Sequence, residues 1–145
     1  MTDILAVLEY HYVYFMVPIN EHMPQSKSWT FYDDGTYTIK IRSALQERVF
    51  TGKLYRKRRE KLSEIIDDII DGYQTNAVCD EDVYCISTDT DFSTLKVPSL
   101  NDDFFLEWSC TDVPRRVQPL VQLASSLFYQ SKLGNSKRFS TKKTF

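Results

Sequence analysis

Residues 49–73 read VFTGKLYRKRREKLSEIIDDIIDGY, and this stretch decides the fold. A short extended segment, residues 49–54, leads into a helix whose apolar side chains recur every three or four positions. These side chains are Leu62, Ile65, Ile66, Ile69, Ile70 and Tyr73. Such spacing places them on one side of a helix, which needs a hydrophobic surface to cover it. Gly72 is predicted to cap the helix, and a loop is predicted to follow at residues 74–81.

The charges on this helix oppose its dipole. The first turns of the helix contain the cations Arg56, Lys57, Arg58, Arg59 and Lys61. Its last turns contain the acids Asp67, Asp68 and Asp71. A helix dipole favours the reverse arrangement, and each misplaced charge costs a few tenths of a kcal/mol. We therefore interpret these charges as serving a neighbouring segment or a partner rather than the helix itself.

Strands are predicted on both sides of the helix. Residues 4–17 are largely apolar on both faces, which is typical of a strand that is central or covered on both sides, and residues 18–27 are predicted to form a loop. Asp33-Asp34-Gly35 lies between two alternating runs and predicts a hairpin of residues 29–32 and 36–42. A further strand at residues 48–53 contains Gly52, which indicates a bulge or a close approach. After the helix, strands are predicted at residues 82–87, 92–97 and 104–110.

The closing helix is predicted from about Pro119 to Lys132. Pro119 cannot donate a backbone hydrogen bond, so a turn is expected at residues 114–118, with Asp112 as a candidate N-cap. The prediction is therefore an α+β fold, with antiparallel, meander-type strand groups and two amphipathic helices in the order β-β-β-β-α-β-β-β-α. Residues 1–133 form one domain, and residues 134–145 form a flexible basic tail.

Composition favours a globular protein of a reducing compartment. The three cysteines, Cys79, Cys85 and Cys110, are an odd number without a C-x-x-C pair, which indicates free thiols. The start of the chain lacks the basic region of a signal peptide, and no stretch is apolar enough to span a bilayer. We expect a cytoplasmic protein that does not bind membranes.

Charge is segregated along the chain. Residues 62–112 hold thirteen acids and one base, Lys96, whereas residues 113–145 hold seven bases and no acid. In one interpretation, the acidic and basic segments face each other inside the fold. In the other, one or both present a single-sign surface to a macromolecule.

Catalytic patterns are missing from the sequence. His11 lies in the middle of a predicted strand and His22 in a loop, and neither belongs to a nucleophilic motif. The acidic clusters at residues 80–82, 89–91 and 102–103 lack the spacing of a calcium loop, and there is no glycine-rich phosphate loop. We therefore predict a non-enzymatic protein without cofactor or metal.

The first functional hypothesis is a small interaction protein that binds and inhibits another macromolecule, most simply a protein. Its candidate contact residues are Arg56, Lys57, Arg58, Arg59, Asp80, Glu81, Asp82, Asp102 and Asp103. The segments Thr51-Gly52-Lys53-Leu54 and Val113-Pro114 each open a helix, and this order of elements is similar to that of small bacterial inhibitors and immunity proteins. That resemblance concerns the fold alone. The hypothesis of an immunity or anti-defence role rests on the small size, the segregated charge, the abundant Tyr and Trp, and the missing catalytic patterns.

The alternative hypothesis is nucleic-acid binding through the helix start and the tail. The candidate residues are Arg56, Arg58, Arg59, Arg115, Arg116, Lys137, Arg138, Lys142 and Lys143. Such cations bind phosphates, and neighbouring tyrosine or phenylalanine rings can stack on bases. No recognised nucleic-acid-binding motif accompanies them.

Overall fold

The computed structural model describes residues 3–14, 18, 20–75, 91–99, 105–109 and 112–131, without the side chains of residues 74 and 75. Within these residues the chain forms six strands and two helices. They are β1 (Ile4–His11), β2 (Pro24–Tyr32), β3 (Thr36–Ser43), β4 (Glu47–Lys53), α1 (Arg56–Thr75), β5 (Phe92–Lys96), β6 (Leu106–Ser109) and α2 (Gln118–Gln130). The predicted α+β fold is confirmed. The additional strand predicted at residues 82–87 lies outside the described residues.

The strands form one antiparallel sheet in the order β4-β3-β2-β1-β5-β6. β2, β3 and β4 follow each other as a meander, which short turns allow. β1 is central, as predicted, because it pairs with β2 on one side and with β5 on the other. The two strand groups predicted from the sequence therefore join through the first strand of the chain.

The register gives the sheet one apolar face. Leu8 lies opposite Trp29 on β2 and opposite Leu95 on β5, and Trp29 lies opposite Ile39 on β3. All four side chains are buried, and they belong to one hydrophobic cluster with the apolar residues of α1 and α2. Both helices therefore pack on the same face of the sheet. The opposite face, called the open face below, is rich in Ser, Thr and charged side chains.

The predicted hairpin is confirmed at residues 33–35. Gly35 has a φ of 91°, which glycine adopts without strain, and its N–H donates to the Tyr32 carbonyl at 3.1 Å. Asp34 accepts two hydrogen bonds from Thr36, at 2.9 Å from the backbone N–H and at 2.5 Å from the hydroxyl. This turn fixes the register of β2 with β3.

Gly72 does not cap α1, contrary to the prediction. The helix continues to Thr75, and Gly72 is a buried helical residue. The side chain of Arg116 occupies the space where a Cβ of Gly72 would project. Its Nη1 lies 3.3 Å from both the backbone carbonyl and the Oδ1 of Asp68. Arg116 therefore crosses the helix at a point where glycine leaves room for its side chain.

Gly52 marks a close approach rather than a bulge. The pairing of β3 with β4 is regular from Thr36 to Lys53, with Gly52 opposite Tyr37. A Cβ on Gly52 would lie only 2.5 Å from Cζ of Tyr37. The tyrosine ring therefore lies against the backbone of the neighbouring strand.

Three predicted boundaries were wrong. β1 ends at His11 rather than at residue 17. Just beyond this end, the Asp91 carboxylate accepts a hydrogen bond from the Val13 N–H at 2.8 Å, in place of a neighbouring strand. It also accepts one from the Tyr10 hydroxyl at 2.6 Å. β2 begins at Pro24, inside the predicted loop, since a proline is tolerated as the first residue of a strand. Asp112 is not an N-cap, because α2 begins only at Gln118, after a turn.

Neither helix in the described residues has an apolar stretch long enough to cross a membrane.

Candidate binding surface at the start of helix α1

The chain turns sharply where β4 passes into α1. Leu54 is buried, at 2% exposure, and its N–H donates to the Gly35 carbonyl at 2.7 Å. The next residue, Tyr55, is 75% exposed, and its carbonyl accepts the N–H of Arg59 at 3.0 Å as the helix starts. Leu54 thus anchors the corner in the core, and Tyr55 is left in solvent.

Cations surround this tyrosine. We call the set the basic corner, and it consists of Lys53, Arg56, Lys57, Arg58 and Arg59. Four of these residues, at positions 56–59, were predicted from the sequence as part of a contact surface, and they lie together in the structure. Lys53, from the end of β4, joins them. All five side chains are exposed.

Two of these cations are oriented by neighbouring elements. Arg58 donates from Nη1 to Oε1 of Gln130, at the end of α2, at 2.7 Å. Arg59 donates from Nη2 to the carbonyl of Asp33, in the β2–β3 turn, at 2.9 Å. Arg56 is held loosely, with its Nε 3.9 Å from Oε1 of Glu60. Within the described part of the chain, Lys57 makes no hydrogen bond or ion pair, which leaves its ammonium group to solvent or a partner.

The electrostatic potential at the basic corner is positive. No acid lies in the first turn of α1, so the positive end of the helix dipole adds to the side-chain charges. Hydrogen bonds from the Thr36 hydroxyl and N–H lower the pKa of Asp34, and the charges of Lys53 and Arg59 lower it further. Burial raises the pKa of Tyr37, whose ring lies beneath the corner.

Two open surface pockets lie on either side of Tyr55. The larger, about 650 Å³, is lined by Lys53, Leu54, Tyr55, Arg56, Arg59, Glu60, Ser63 and Glu64. The smaller, about 390 Å³, is lined by Tyr37, Lys53, Leu54, Tyr55, Arg56, Lys57, Arg58 and Leu127. Both are wide, open recesses, a shape that accepts side chains from another macromolecule better than a small molecule that needs enclosure.

The other predicted basic contact residues that the structure describes, Arg115 and Arg116, lie away from the basic corner. Arg116 contacts Asp68, twelve residues beyond Arg56 on α1. At 1.5 Å per residue this is about 18 Å along the helix axis. The structure therefore does not join Arg115 and Arg116 to the basic corner. The Arg116–Asp68 pair, at 3.3 Å, links the acidic segment of residues 62–112 with the basic segment that follows it.

Several predicted contact residues lie outside the described residues. They are Asp80, Glu81, Asp82, Asp102, Asp103, Lys137, Arg138, Lys142 and Lys143. The cysteines at positions 79, 85 and 110 lie outside as well. In the part of the chain that the structure does describe, no group of three His, Cys, Asp or Glu side chains is placed to hold a metal ion.

Sequence reasoning missed Tyr55 as part of the surface. An aromatic residue directly before a basic run was the available signal, since tyrosine and arginine are enriched in interface hot spots. It also missed a cluster around Lys27, whose ammonium lies 5.0 Å from the ring centre of Tyr10 and 4.6 Å from that of Phe128. No sequence pattern reveals this cluster, because its rings come from β1 and α2.

Neither a scan against protein-family models nor a search of curated proteins gives a match for this chain.

Proposed function

We propose that this chain is a non-catalytic interaction protein that binds another macromolecule through the basic corner and thereby inhibits it, as immunity and anti-defence proteins do. The partner is an acidic protein surface, and the encounter takes place in the cytoplasm. The observation that carries the proposal is the exposed Tyr55 at the centre of five exposed cations.

The basic corner suits a contact surface because the backbone beneath Tyr55 and two of the arginine side chains are held in place. Leu54 fixes the backbone beneath Tyr55, and Arg58 and Arg59 are held by hydrogen bonds to Gln130 and Asp33. A tyrosine on a rigid backbone loses little conformational entropy on binding, and arginine pairs with carboxylates through two parallel hydrogen bonds. These properties support a specific site rather than a general charge attraction.

The charge of the corner also supports a role in association. A cluster of like charges steers an oppositely charged partner and raises the association rate, and salt screens that effect. We therefore expect faster binding at low ionic strength. Changes to exposed cations should alter the association rate, and a change to Tyr55 should alter the dissociation rate.

The test is capture of the partner from the source cell by the tagged full chain, in low and moderate salt. Tyr55→Ala should weaken binding by about 2 kcal/mol, roughly thirtyfold, if Tyr55 is a hot spot. Lys57→Glu should slow association. Lys40→Glu is the matched control, because it makes the same charge change at an exposed position on the open face. Recovery of no stoichiometric partner, or equal retention by all variants, would contradict the proposal.

Nucleic-acid binding remains the second candidate, since the same cations and Tyr55 could contact phosphates and stack on a base. A band-shift assay with single-stranded and duplex DNA or RNA distinguishes the two. The logarithm of the binding constant should fall with the logarithm of salt concentration, with a slope of about −0.7 to −0.9 per phosphate contact. Arg56→Glu with Lys57→Glu should reduce that slope. Absence of binding in low salt excludes this candidate.

A further inference from the structure

β4 is an edge strand of the sheet, and in the described part of the chain neither a bulge nor a proline prevents it from pairing with another chain. It lies at the end of the sheet, spans seven residues, and pairs with β3 without a bulge or a proline. Proteins normally shorten, bend, cover or charge such an edge, and β4 carries charges of both signs, at Glu47, Arg48 and Lys53. Glu47, Arg48, Val49, Thr51 and Lys53 are all exposed, with Val49 at 53%. As far as the described residues show, the edge is accessible to a further strand.

The hydrogen bonds at the ends of β4 show which backbone groups face outward. Leu54 donates its N–H to Gly35 at 2.7 Å, and Gln46 accepts from the N–H of Ser43 at 2.9 Å. In an antiparallel ladder, alternate residues point their backbone groups to the same side. Residues 48, 50 and 52 therefore point toward β3. The outward N–H and C=O groups belong to Glu47, Val49, Thr51 and Lys53.

From this pattern we propose that β4 pairs with β4 of a second copy of the chain, antiparallel about a twofold axis through Phe50. In this register Glu47 lies opposite Lys53 of the second copy, and Val49 lies opposite Thr51. Each outward-facing residue is then matched with another outward-facing residue, and each such pair exchanges two backbone hydrogen bonds. The sheet continues across the axis as twelve strands.

The side chains fit this register on both faces. On the open face, opposite charges meet at both ends of the paired strands, because the twofold axis repeats the Glu47–Lys53 contact. On the helix-covered face, the two Phe50 side chains meet on the axis. Arg48 lies opposite Gly52, where the Tyr37 ring covers the backbone, so its guanidinium meets that aromatic ring. Phe50 already packs against the core, with its ring centre 6.3 Å from that of Tyr37. The pairing would extend that cluster.

The dimer would also set the spacing of two binding surfaces. Leu54 of one copy falls opposite residue 46 of the other, so equivalent corners lie eight residues apart along the strands. At 3.4 Å per residue this is roughly 27 Å. Pairing through β4 does not depend on the basic corner having a partner, and it stands or fails separately from the proposed function.

The experiment is sedimentation velocity of the full chain from micromolar to millimolar concentration, with a reductant present because the chain contains three cysteines. Wild type should pass from monomer to dimer. Val49→Pro removes an outward-facing N–H that β3 does not use, so the fold should persist while the dissociation constant rises roughly tenfold or more. Val49→Thr keeps the N–H and is the matched control. Equal thermal midpoints show that each variant is folded.

Charge reversal tests the register itself. Lys53→Glu places like charges opposite each other at both ends and should weaken the dimer roughly two- to thirtyfold. Glu47→Lys should do the same, and the two reversals combined should restore the dimer because opposite charges face each other again. A chain that remains monomeric at all concentrations overturns the proposal. A dimer that Val49→Pro leaves unchanged, or that the combined reversal fails to restore, also overturns it.

Discussion

Replacing Gly52 by alanine tests the packing of the sheet edge most directly. The new Cβ would lie 2.5 Å from both Cζ and the hydroxyl oxygen of Tyr37 and 2.9 Å from its Cε1. Real Cβ contacts are not this short, so the ring must move. Tyr37 is 7% exposed and packs beside Phe31 and Phe50, with ring centres 6.4 Å and 6.3 Å away, so its movement disturbs those contacts as well.

The expected cost follows from this geometry. Forcing one extra carbon into a packed core typically costs 1–3 kcal/mol, so Gly52→Ala should destabilise by about 2 kcal/mol. For a domain of this length that lowers the thermal midpoint by roughly 4–8 °C. Differential scanning calorimetry or chemical denaturation measures it. Thr51→Ala, at a neighbouring exposed position, should change stability by less than about 0.5 kcal/mol.

A double-mutant cycle assigns the cause. In a Tyr37→Ala background the ring is gone, so Gly52→Ala should cost less than about 0.5 kcal/mol. The coupling between the two sites should then approach the full single-site effect. An equal cost in both backgrounds would show that the ring is not the obstacle, and the reasoning would be wrong.

Two further predictions concern the β2–β3 turn. Gly35→Ala should destabilise the fold by about 1–2 kcal/mol, because a side chain disfavours the positive φ at this position. Gly35→Asn should cost less, since asparagine tolerates this conformation better. Chemical denaturation measures both variants, and equal effects would argue against a conformational cause. The lowered pKa of Asp34 means that its ionised form stabilises the fold above the ordinary carboxyl pKa, and that this contribution is lost as pH falls through the folded-state value. Unfolding measured from neutral to acid pH should therefore show wild type losing its advantage over Asp34→Asn, and a pH-independent difference would contradict this.

Local patterns made much of the fold predictable. The stripe from Leu62 to Tyr73 is the buried side of α1, and Asp33-Asp34-Gly35 forms the hairpin turn, because periodicity and turn chemistry act within a few residues. The end of β1 was not predictable. Tyr12 and Tyr14 continue the apolar pattern, but Asp91, nearly eighty residues later, determines where the strand stops.

The candidate surface was predictable in part for the same reason. Residues 56–59 are adjacent in sequence, so their clustering is visible there. The outward position of Tyr55 depends on the hydrogen bond from the Leu54 N–H to the Gly35 carbonyl. That bond joins the end of β4 to the turn between β2 and β3. Gly72 illustrates a similar limit. It has the residue type of a helix cap, but α1 continues to Thr75, and Arg116, from a distant part of the sequence, occupies the space beside it.

The central position of β1 has a consequence for how the chain folds during synthesis. The first 75 residues contain four strands already paired in sequence order and a complete helix, so this half can form from local contacts. β5, which pairs with the other side of β1, is complete only at Lys96, 21 residues later. At 5–20 residues per second, the interval is about one to four seconds. During it, the edge of β1 that pairs with β5 and the apolar side chains that contact α2 lack those partners, so we expect the nascent chain to be most prone to aggregation before Lys96 emerges.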